Sequence, residues 1–336
     1  MNKASKKLSI LVPVYNVEHY VAECIESILA QMDEQTELIL MNDASTDNSG
    51  EIVAQYSTHP WVSIVHAPRN RGLSATRNAL RKLAQGEYIW FVDSDDVMCT
   101  GAISTVMAQI EATPVDVLIG DYFFWDEGKG IKRQEKSFIG RVAAGKVFQN
   151  KQGSFLKNIT QSNKNYVWNK IYRHELIAGL DFVEGVKFED IYFMTDLAEK
   201  CRNYVYCDYV LIAYRVRAGS IVTNINEQYI DDYLGAFINR LERWRQWYPD
   251  HQDKFEDYLA YKIVKRYAGQ ITELGKNRQA IMDNRLLICY IYYKYNDVFM
   301  RYYHEYSKGL NIFRLYAVNK KLKEIRHIML QLEEVE

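Results

Sequence analysis

The stretch "WFVDSDDVM" (90–98) places Asp93, Asp95 and Asp96 within one turn, directly after a run of aromatic and branched residues. Carboxylates at that density repel one another. They suit a hard divalent cation, Mg²⁺ or Mn²⁺, which takes oxygen ligands and keeps phosphate and water in its remaining positions. A solvated loop that caps the following helix is the other use of such a run. A second acidic turn, "NDASTDNSG" with Asp43, lies about fifty residues earlier. Its chemistry matters only if the chain brings the two turns together.

The elements around them do so. "LSILVPV" (8–14) is an apolar run fit for a strand buried on both faces. Val21, Cys24, Ile25, Ile28, Leu29 and Met32 then fall on one stripe at helical spacing. "ELILM" (37–41), a helix near 47–57, "WVSIVHA" (61–67), a helix near 73–84, "EYIWFV" (87–92), a helix near 101–111 and "VDVLIGDY" (115–122) continue the series. Strands alternating with helices predict an α/β fold with a mostly parallel open sheet covered on both faces. Such sheets bind ligands beyond the carboxyl ends of their strands. Asp43 follows the second strand and Asp93, Asp95 and Asp96 follow the fourth, so both groups belong to that end.

Composition narrows the function. Net charge is −1 over 336 residues, which gives no bulk preference for nucleic acid. Five scattered cysteines without a CxxC pair argue against zinc or redox chemistry and for a reducing compartment. The basic N-terminus meets Pro13 before a signal-type apolar core forms, and "LLICYIYY" (286–293) is too short to span a membrane. The expected location is cytoplasmic, with a peripheral position on the cytoplasmic face of the inner membrane left open.

The ordered series "SILVPVYN", "NDASTDNS", "RNRGLSATRNAL", "GEYIWFVDSDD", "WNKIYRHEL", "VKFEDIYF" and "YRVRAGSIV" resembles the family 2 glycosyltransferases of the GT-A fold, inverting enzymes common in bacterial surface-polysaccharide synthesis. The resemblance covers residues 8 to about 222, roughly two thirds of the chain. It implies that Pro13 and Tyr15 form the first loop over the nucleotide base. Asp43 would accept the N3–H of uracil, with Asn42 and Ala44 standing where the family usually has Asp and Gly. Asn70, Gly72, Ser74 and Arg77 match a donor-binding segment, with Thr76 where Ala is usual, and Arg77 would reach the base or the phosphates. Asp93 would approach the ribose, with Ser94 beside it in the donor site. Asp95 would bind the metal across the diphosphate, and Asp96 would support the turn or cap the next helix.

In "FEDIYF" the resemblance implies Asp190 as general base, with Glu189 positioning the acceptor hydroxyl or supporting the base. Two adjacent carboxylates, if buried, also resist simultaneous ionisation, which raises one pKa toward working pH. An N-cap role for Asp190 is compatible with that. Trp168 is implied in acceptor binding; Lys170, Arg215, Arg217 and Ser220 are implied as donors to sugar or diphosphate oxygens.

The resulting expectation is a metal-dependent, inverting transfer of a hexose or N-acetylhexosamine from a UDP-sugar to a glycan or lipid-linked glycan. A non-catalytic nucleotide- or glycan-binding module on the same fold is the alternative. Nucleotidyl transfer would want a Gly-rich basic phosphate loop near the first strand, and "VPVYNVEHY" is not one. The domains expected are 1–222, catalytic, with a nucleotide-binding half to about 100 and an acceptor-binding half from 101, and 223–336, helical. The helical part mixes aromatics with Lys294, Arg301, Lys308, Arg314, Lys320, Lys321, Lys323 and Arg326. Two readings of it stay open: a basic face on anionic lipid, or a bundle packed on the catalytic domain or another subunit.

Overall fold

The computed structural model describes residues 6–137, 145–216, 225–249, 254–307 and 312–333. The chain forms two compact units, Met1–Ser220 and Ile221–Glu336.

The first unit begins with β1 (Leu8–Val14), α1 (Val21–Leu29), β2 (Thr36–Asn42), α2 (Ser49–Ala54), β3 (Val62–His66), α3 (Leu73–Leu83) and β4 (Tyr88–Phe91). It continues through β5 (Val97–Met98), α4 (Ala102–Ala112), β6 (Val117–Asp126), β7 (Ile131–Glu135) and β8 (Val147–Gln149). Then come α5 (Ser154–Gln161), β9 (Lys170–Arg173), α6 (His174–Ile177), α7 (Glu189–Lys200) and β10 (Asn203–Val216).

The sheet order is β3-β2-β1-β4-β9-β6-β10-β5, with β7 on β6 and β8 on β10. The β3-β2-β1-β4 half is parallel throughout, as the alternation of periods predicts. Strands β1, β2 and β4 are buried along their whole length, which is why they read as continuous apolar runs and not as alternating ones. Each fully buried Val, Leu or Ile there contributes about 1.5–3 kcal/mol.

Beyond β4 the pattern changes. Strand β9, cut from the segment "NKIYRHEL", runs antiparallel between β4 and β6. It inserts between strands that precede it by many residues, so no local period announced it. Strand β6, expected from "VDVLIGDY", runs on to Asp126 and pairs antiparallel with β7. Strand β10 is long and pairs in parallel with β6 through two register irregularities, between Cys207 and Val210 and between Val210 and Ile212.

Two strand-end loops lace together. Asn16 N–H donates to Ser45 Oγ (3.1 Å), and Asn16 Oδ1 accepts the Thr46 N–H (2.8 Å). Val17 N–H donates to Ser49 Oγ (2.8 Å), and Glu18 N–H to Asp47 Oδ2 (3.0 Å). Glu18 Oε2 accepts the Asn48 N–H in return (2.9 Å). The polar residues of "NDASTDNS" thus satisfy backbone donors of the neighbouring loop, beside the local bond from Ser49 N–H to Asp47 Oδ1 (3.0 Å).

The second unit consists of α8 (Glu227–Trp247), α9 (Lys254–Leu274), α10 (Arg278–Asp283), α11 (Arg285–Tyr306) and α12 (Ile312–Glu333). Asn226 and Asn277 cap α8 and α10 by accepting the Tyr229 and Ala280 N–H groups. Trp244, Tyr267 and Phe299 fill its core, with the Tyr267 and Phe299 rings stacked at 4.6 Å. Leu286 and Tyr293 of α11 and Phe313 and Tyr316 of α12 are exposed. Among the described residues no helix is long and apolar enough to cross a membrane.

Candidate active site

Three loops at the carboxyl end of the parallel strands carry non-glycine residues at positive φ: Asn16 (50°), Ala44 (55°) and Phe188 (60°). Each flanks a residue singled out above, namely Tyr15, Asp43 and Glu189. A bulky residue in the left-handed region costs energy, and such strain is tolerated where the surrounding structure fixes a functional geometry.

Asp43 lies at the end of β2 and is buried. Its carboxylate accepts the Arg71 N–H (2.9 Å to Oδ1, 3.1 Å to Oδ2) and the Gly72 N–H (2.8 Å to Oδ2). Gly72 leads into α3 at φ 84°, a backbone that glycine adopts without strain. Asn42 keeps a polar role where the family usually has Asp. Its Oδ1 accepts the Ser45 N–H (3.0 Å), and its Nδ2 lies 3.2 Å from His66 Nδ1. Tyr15 is 45% exposed at the end of β1, with Pro13 buried just before it. Pro13 follows the last β1–β4 pair, Leu11–Phe91, so its missing N–H leaves that ladder intact. Asn70 is exposed.

The acidic turn follows β4. Asp93 and Asp95 are half-buried, while Ser94 and Asp96 are buried. Asp96 turns inward: its Oδ1 accepts the Arg215 N–H (2.9 Å), and its buried Oδ2 has no hydrogen-bond partner. Burial holds the Asp96 carboxyl well above the ordinary carboxylate range. Asp95 and Asp93 add to that, and Arg215 opposes it. Arg215 also donates from Nε to the Asp95 carbonyl (3.0 Å) and pairs with Glu23. Its guanidinium lies 4.2 Å from the centre of the Trp125 ring. The Arg215 side chain, expected to meet the ligand, is instead a strut under the turn. Arg217 and Ser220 lie outside the described residues.

Helix α3 ties this turn to the second acidic pair. Arg77 is 3% exposed and donates to Asp93 Oδ1 (2.7 Å) and Glu189 Oε1 (2.7 Å). Burial opposes its charge, yet Asp93, Glu189 and Asp190 outweigh burial and raise its pKa. Both of its terminal nitrogens are engaged by carboxylates rather than pointed at a nucleotide. The same helix holds the segment before α7. Asn78 exchanges hydrogen bonds with the Phe182 backbone (2.9 and 2.7 Å), and Arg81 donates to the carbonyls of Ile177 and Leu180 and to Asp181. Sequence reading missed Asn78 and Arg81. The signal was present, since Arg77 and Arg81 are four apart and share a helix face.

Glu189 and Asp190 open α7 and are half-buried. The charge of Asp190 bears on Arg77, Lys170, Tyr166 and Tyr172. Two of the residues expected to meet a ligand are engaged within the protein. Lys170 is fully buried, and its ammonium donates to the carbonyls of Lys164 (3.0 Å) and Tyr166 (2.6 Å) and to Asn169 Oδ1 (2.8 Å). With three donors and three protein acceptors, it has none left for a sugar or diphosphate. Burial pushes Lys170 down to about 7, against the opposing pull of Asp190. Trp168 is 4% exposed and sandwiched between Tyr166 (4.9 Å, 15°) and Tyr214 (5.3 Å, 9°), with Tyr122 edge-on at 4.8 Å. Neither face of its indole is open to an acceptor. Its neighbours Tyr166 and Tyr214 are half-buried. Each aromatic pair adds about 0.5–1.5 kcal/mol beyond area burial.

The acidic turn supplies oxygen donors only. Among the described residues no three His, Cys, Asp or Glu side chains converge as a ready-made cage. That donor set fits a Mg²⁺- or Mn²⁺-type cation, which takes one or two carboxylates from protein and the rest from substrate phosphates and water.

Comparison with known proteins agrees with this geometry. The chain is similar to the glycosyltransferase GlyG of Streptococcus pneumoniae serotype 4, 30% identical over 243 residues, 70% of this chain and 80% of that protein. It is similar to GlyA of the same organism at 29% identity over 84% of this chain, but it spans only 41% of that longer protein. The fold matches the crystal structure of S. aureus TarS 1–349 in complex with UDP-GlcNAc, with a TM-score of 0.65 at 18% identity, covering 98% of this chain and 92% of that one. The model of glycosyl transferase family 2 matches residues 9–176, half of the chain. With the acidic turn, the buried Asp43 and the Glu189–Asp190 pair gathered at one end of a GT-A-type sheet, the chain belongs to glycosyl transferase family 2.

Proposed function

We propose that the chain transfers a hexose or N-acetylhexosamine from a UDP-sugar to a hydroxyl of a glycan or lipid-linked glycan, with inversion, in the assembly of a bacterial surface polysaccharide. The observation that carries this reading is the bridge made by Arg77. It holds the turn of Asp93 and Asp95, suited to a metal and diphosphate, against the Glu189–Asp190 pair, suited to an acceptor. The UDP-GlcNAc bound in the TarS structure supports a uridine donor.

In this reading Asp43, oriented by the Arg71 and Gly72 amides, accepts the uracil N3–H, and Tyr15 offers its exposed ring to the base. Gly72 and Asn70 line the donor loop, Asp93 and Ser94 face the ribose, and Asp95 would hold a divalent cation. Mn²⁺ or Mg²⁺ bound there would offset charge on the leaving diphosphate. Asp190 takes the proton of the acceptor hydroxyl as its oxygen bonds to the anomeric carbon. The bond from that carbon to UDP breaks on the opposite face, and UDP leaves with the electron pair. Glu189, fixed by Arg77, orients Asp190 and the acceptor. Residues to about 100 serve the nucleotide and 101–222 the acceptor.

The test is thermal stability with UDP, GDP, CDP or ADP, each with Mn²⁺ or with EDTA. A ligand at a hundredfold excess over its Kd stabilises the folded state by about 2.7 kcal/mol. The expected result is stabilisation by UDP alone, dependent on Mn²⁺. An equal response to every nucleotide, or none, would overturn the donor assignment.

A further inference from the structure

Helix α12 carries two unlike faces. Val318, Ile325, Ile328, Met329 and Leu332 are buried in the second unit. The polar groups beside them are tied to α9: the Arg314 guanidinium lies 5.1 and 5.3 Å from the ring centres of Tyr258 and Tyr261, and Lys321 Nζ donates to Thr272 Oγ1 (2.8 Å). On the opposite side, helical spacing brings Phe313, Tyr316, Lys320, Lys323, His327 and Leu330 into one arc of about 100°. All six are exposed, Phe313 at 82% and Tyr316 at 71%.

The chemistry of that arc selects what can cover it. It contains aromatic, aliphatic and basic side chains and no carboxylate; exposed Arg326 borders it, while Glu324 and Glu333 lie outside it. Among the described residues Lys320 and Lys323 make no ion pair. A purely apolar partner would strip water from these ammonium groups and return no counter-charge. A second copy docked about a two-fold axis would fare no better. Lys320 and Lys323 occupy the middle of the arc, so an antiparallel pairing sets lysine against lysine. An anionic bilayer surface satisfies both halves of the pattern. Phenylalanine and tyrosine rings enter the interfacial layer, and lysine stems follow apolar surface while their ammonium groups reach the headgroup phosphates.

We infer that this face of α12 docks on a membrane surface rich in anionic phospholipid. Phe313, Tyr316 and Leu330 enter the interface, and Lys320 and Lys323 meet the headgroups between them. The inference concerns the second unit alone and does not rest on the sugar-transfer reading.

Cosedimentation of the full chain with phosphatidylcholine vesicles, with and without phosphatidylglycerol, tests it. The expected result is binding to the phosphatidylglycerol vesicles at low salt, release at high salt, and little binding to phosphatidylcholine alone. Lys320→Gln/Lys323→Gln should weaken the partition about 25-fold, because each cation at an anionic surface contributes about fivefold. Phe313→Ser/Tyr316→Ser should weaken it about tenfold, through lost apolar burial. The melting temperatures of both variants should match that of the wild type, since all four side chains are exposed. No binding to phosphatidylglycerol vesicles, equal binding to both kinds of vesicle, or binding unaltered in both variants overturns the inference. So does a dimer in sedimentation velocity without lipid that Phe313→Ser/Tyr316→Ser dissociates, because a second copy would then cover the face.

Discussion

Arg77 and Glu189, on helices widely separated in the chain, are joined by a 2.7 Å ion pair, and the other terminal nitrogen of Arg77 lies 2.7 Å from Asp93. The guanidinium is buried and rigid, and its fork matches two carboxylates that would otherwise repel each other across the site. Arg77→Met should destabilise the protein by about 3 kcal/mol, the low end for breaking a buried pair, because Asp93 and Glu189 retain some access to water. Urea unfolding measures it. Arg77→Lys should recover less than half of that, since a point charge cannot hold both partners.

Asp190→Asn should lower kcat by about 10²–10⁴-fold, the range for loss of a positioned base. The UDP-induced thermal shift should stay at the wild-type value, which separates chemistry from donor binding. Glu189→Gln should cost less in rate, because the amide oxygen can still accept from Arg77. Full activity in Asp190→Asn would falsify the base assignment.

Asp95→Ala should abolish the Mn²⁺ dependence of stabilisation by UDP while leaving the unliganded melting temperature within a degree or two, because Asp95 is half-buried at the mouth of the turn. Calorimetric titration of Mn²⁺ with UDP present checks the loss directly.

Ala44, at φ 55° beside Asp43, gives a prediction of unusual sign. The left-handed backbone costs a non-glycine residue roughly 1–2 kcal/mol, and glycine loses about 0.4–1 kcal/mol through the unfolded chain. Ala44→Gly should therefore stabilise by about 0.5 kcal/mol, where Ala→Gly normally destabilises. A rise in the urea midpoint at constant slope would show it.

Asp116 is buried and accepts from the Arg202 N–H (2.7 Å) and guanidinium (3.1 and 3.2 Å). Burial works against its charge, but the Arg202 hydrogen bonds and charge outweigh it and hold the carboxyl below the usual range. A depressed acid contributes stability that is complete above its unfolded pKa of about 3.9 and is lost as pH falls through the folded value. Asp116→Asn should cost about 2 kcal/mol at pH 7, and the difference from wild type should shrink below pH 4. Denaturant melts at pH 7, 5 and 3 follow that trend.

The sequence by itself determined the parallel half of the sheet and the gathering of Asp43 with Asp93, Asp95 and Asp96. Both follow from periodicity, because a strand buried on two faces is continuously apolar and its carboxyl end opens on the crevice. The motif series carried the family as well. What only the tertiary structure decided concerns partners. The same Lys, Trp or Arg can meet a ligand or a neighbour, and spacing does not say which. Lys170 proved to be closed in by three backbone and side-chain acceptors, Trp168 by two tyrosine rings, and Arg77 by two carboxylates. Strand β9 was equally hidden, since its pairing with β4 and β6 depends on contacts far apart in sequence. Local propensity fixes which elements form, but a buried polar group finds its partner only when the whole chain has closed around it.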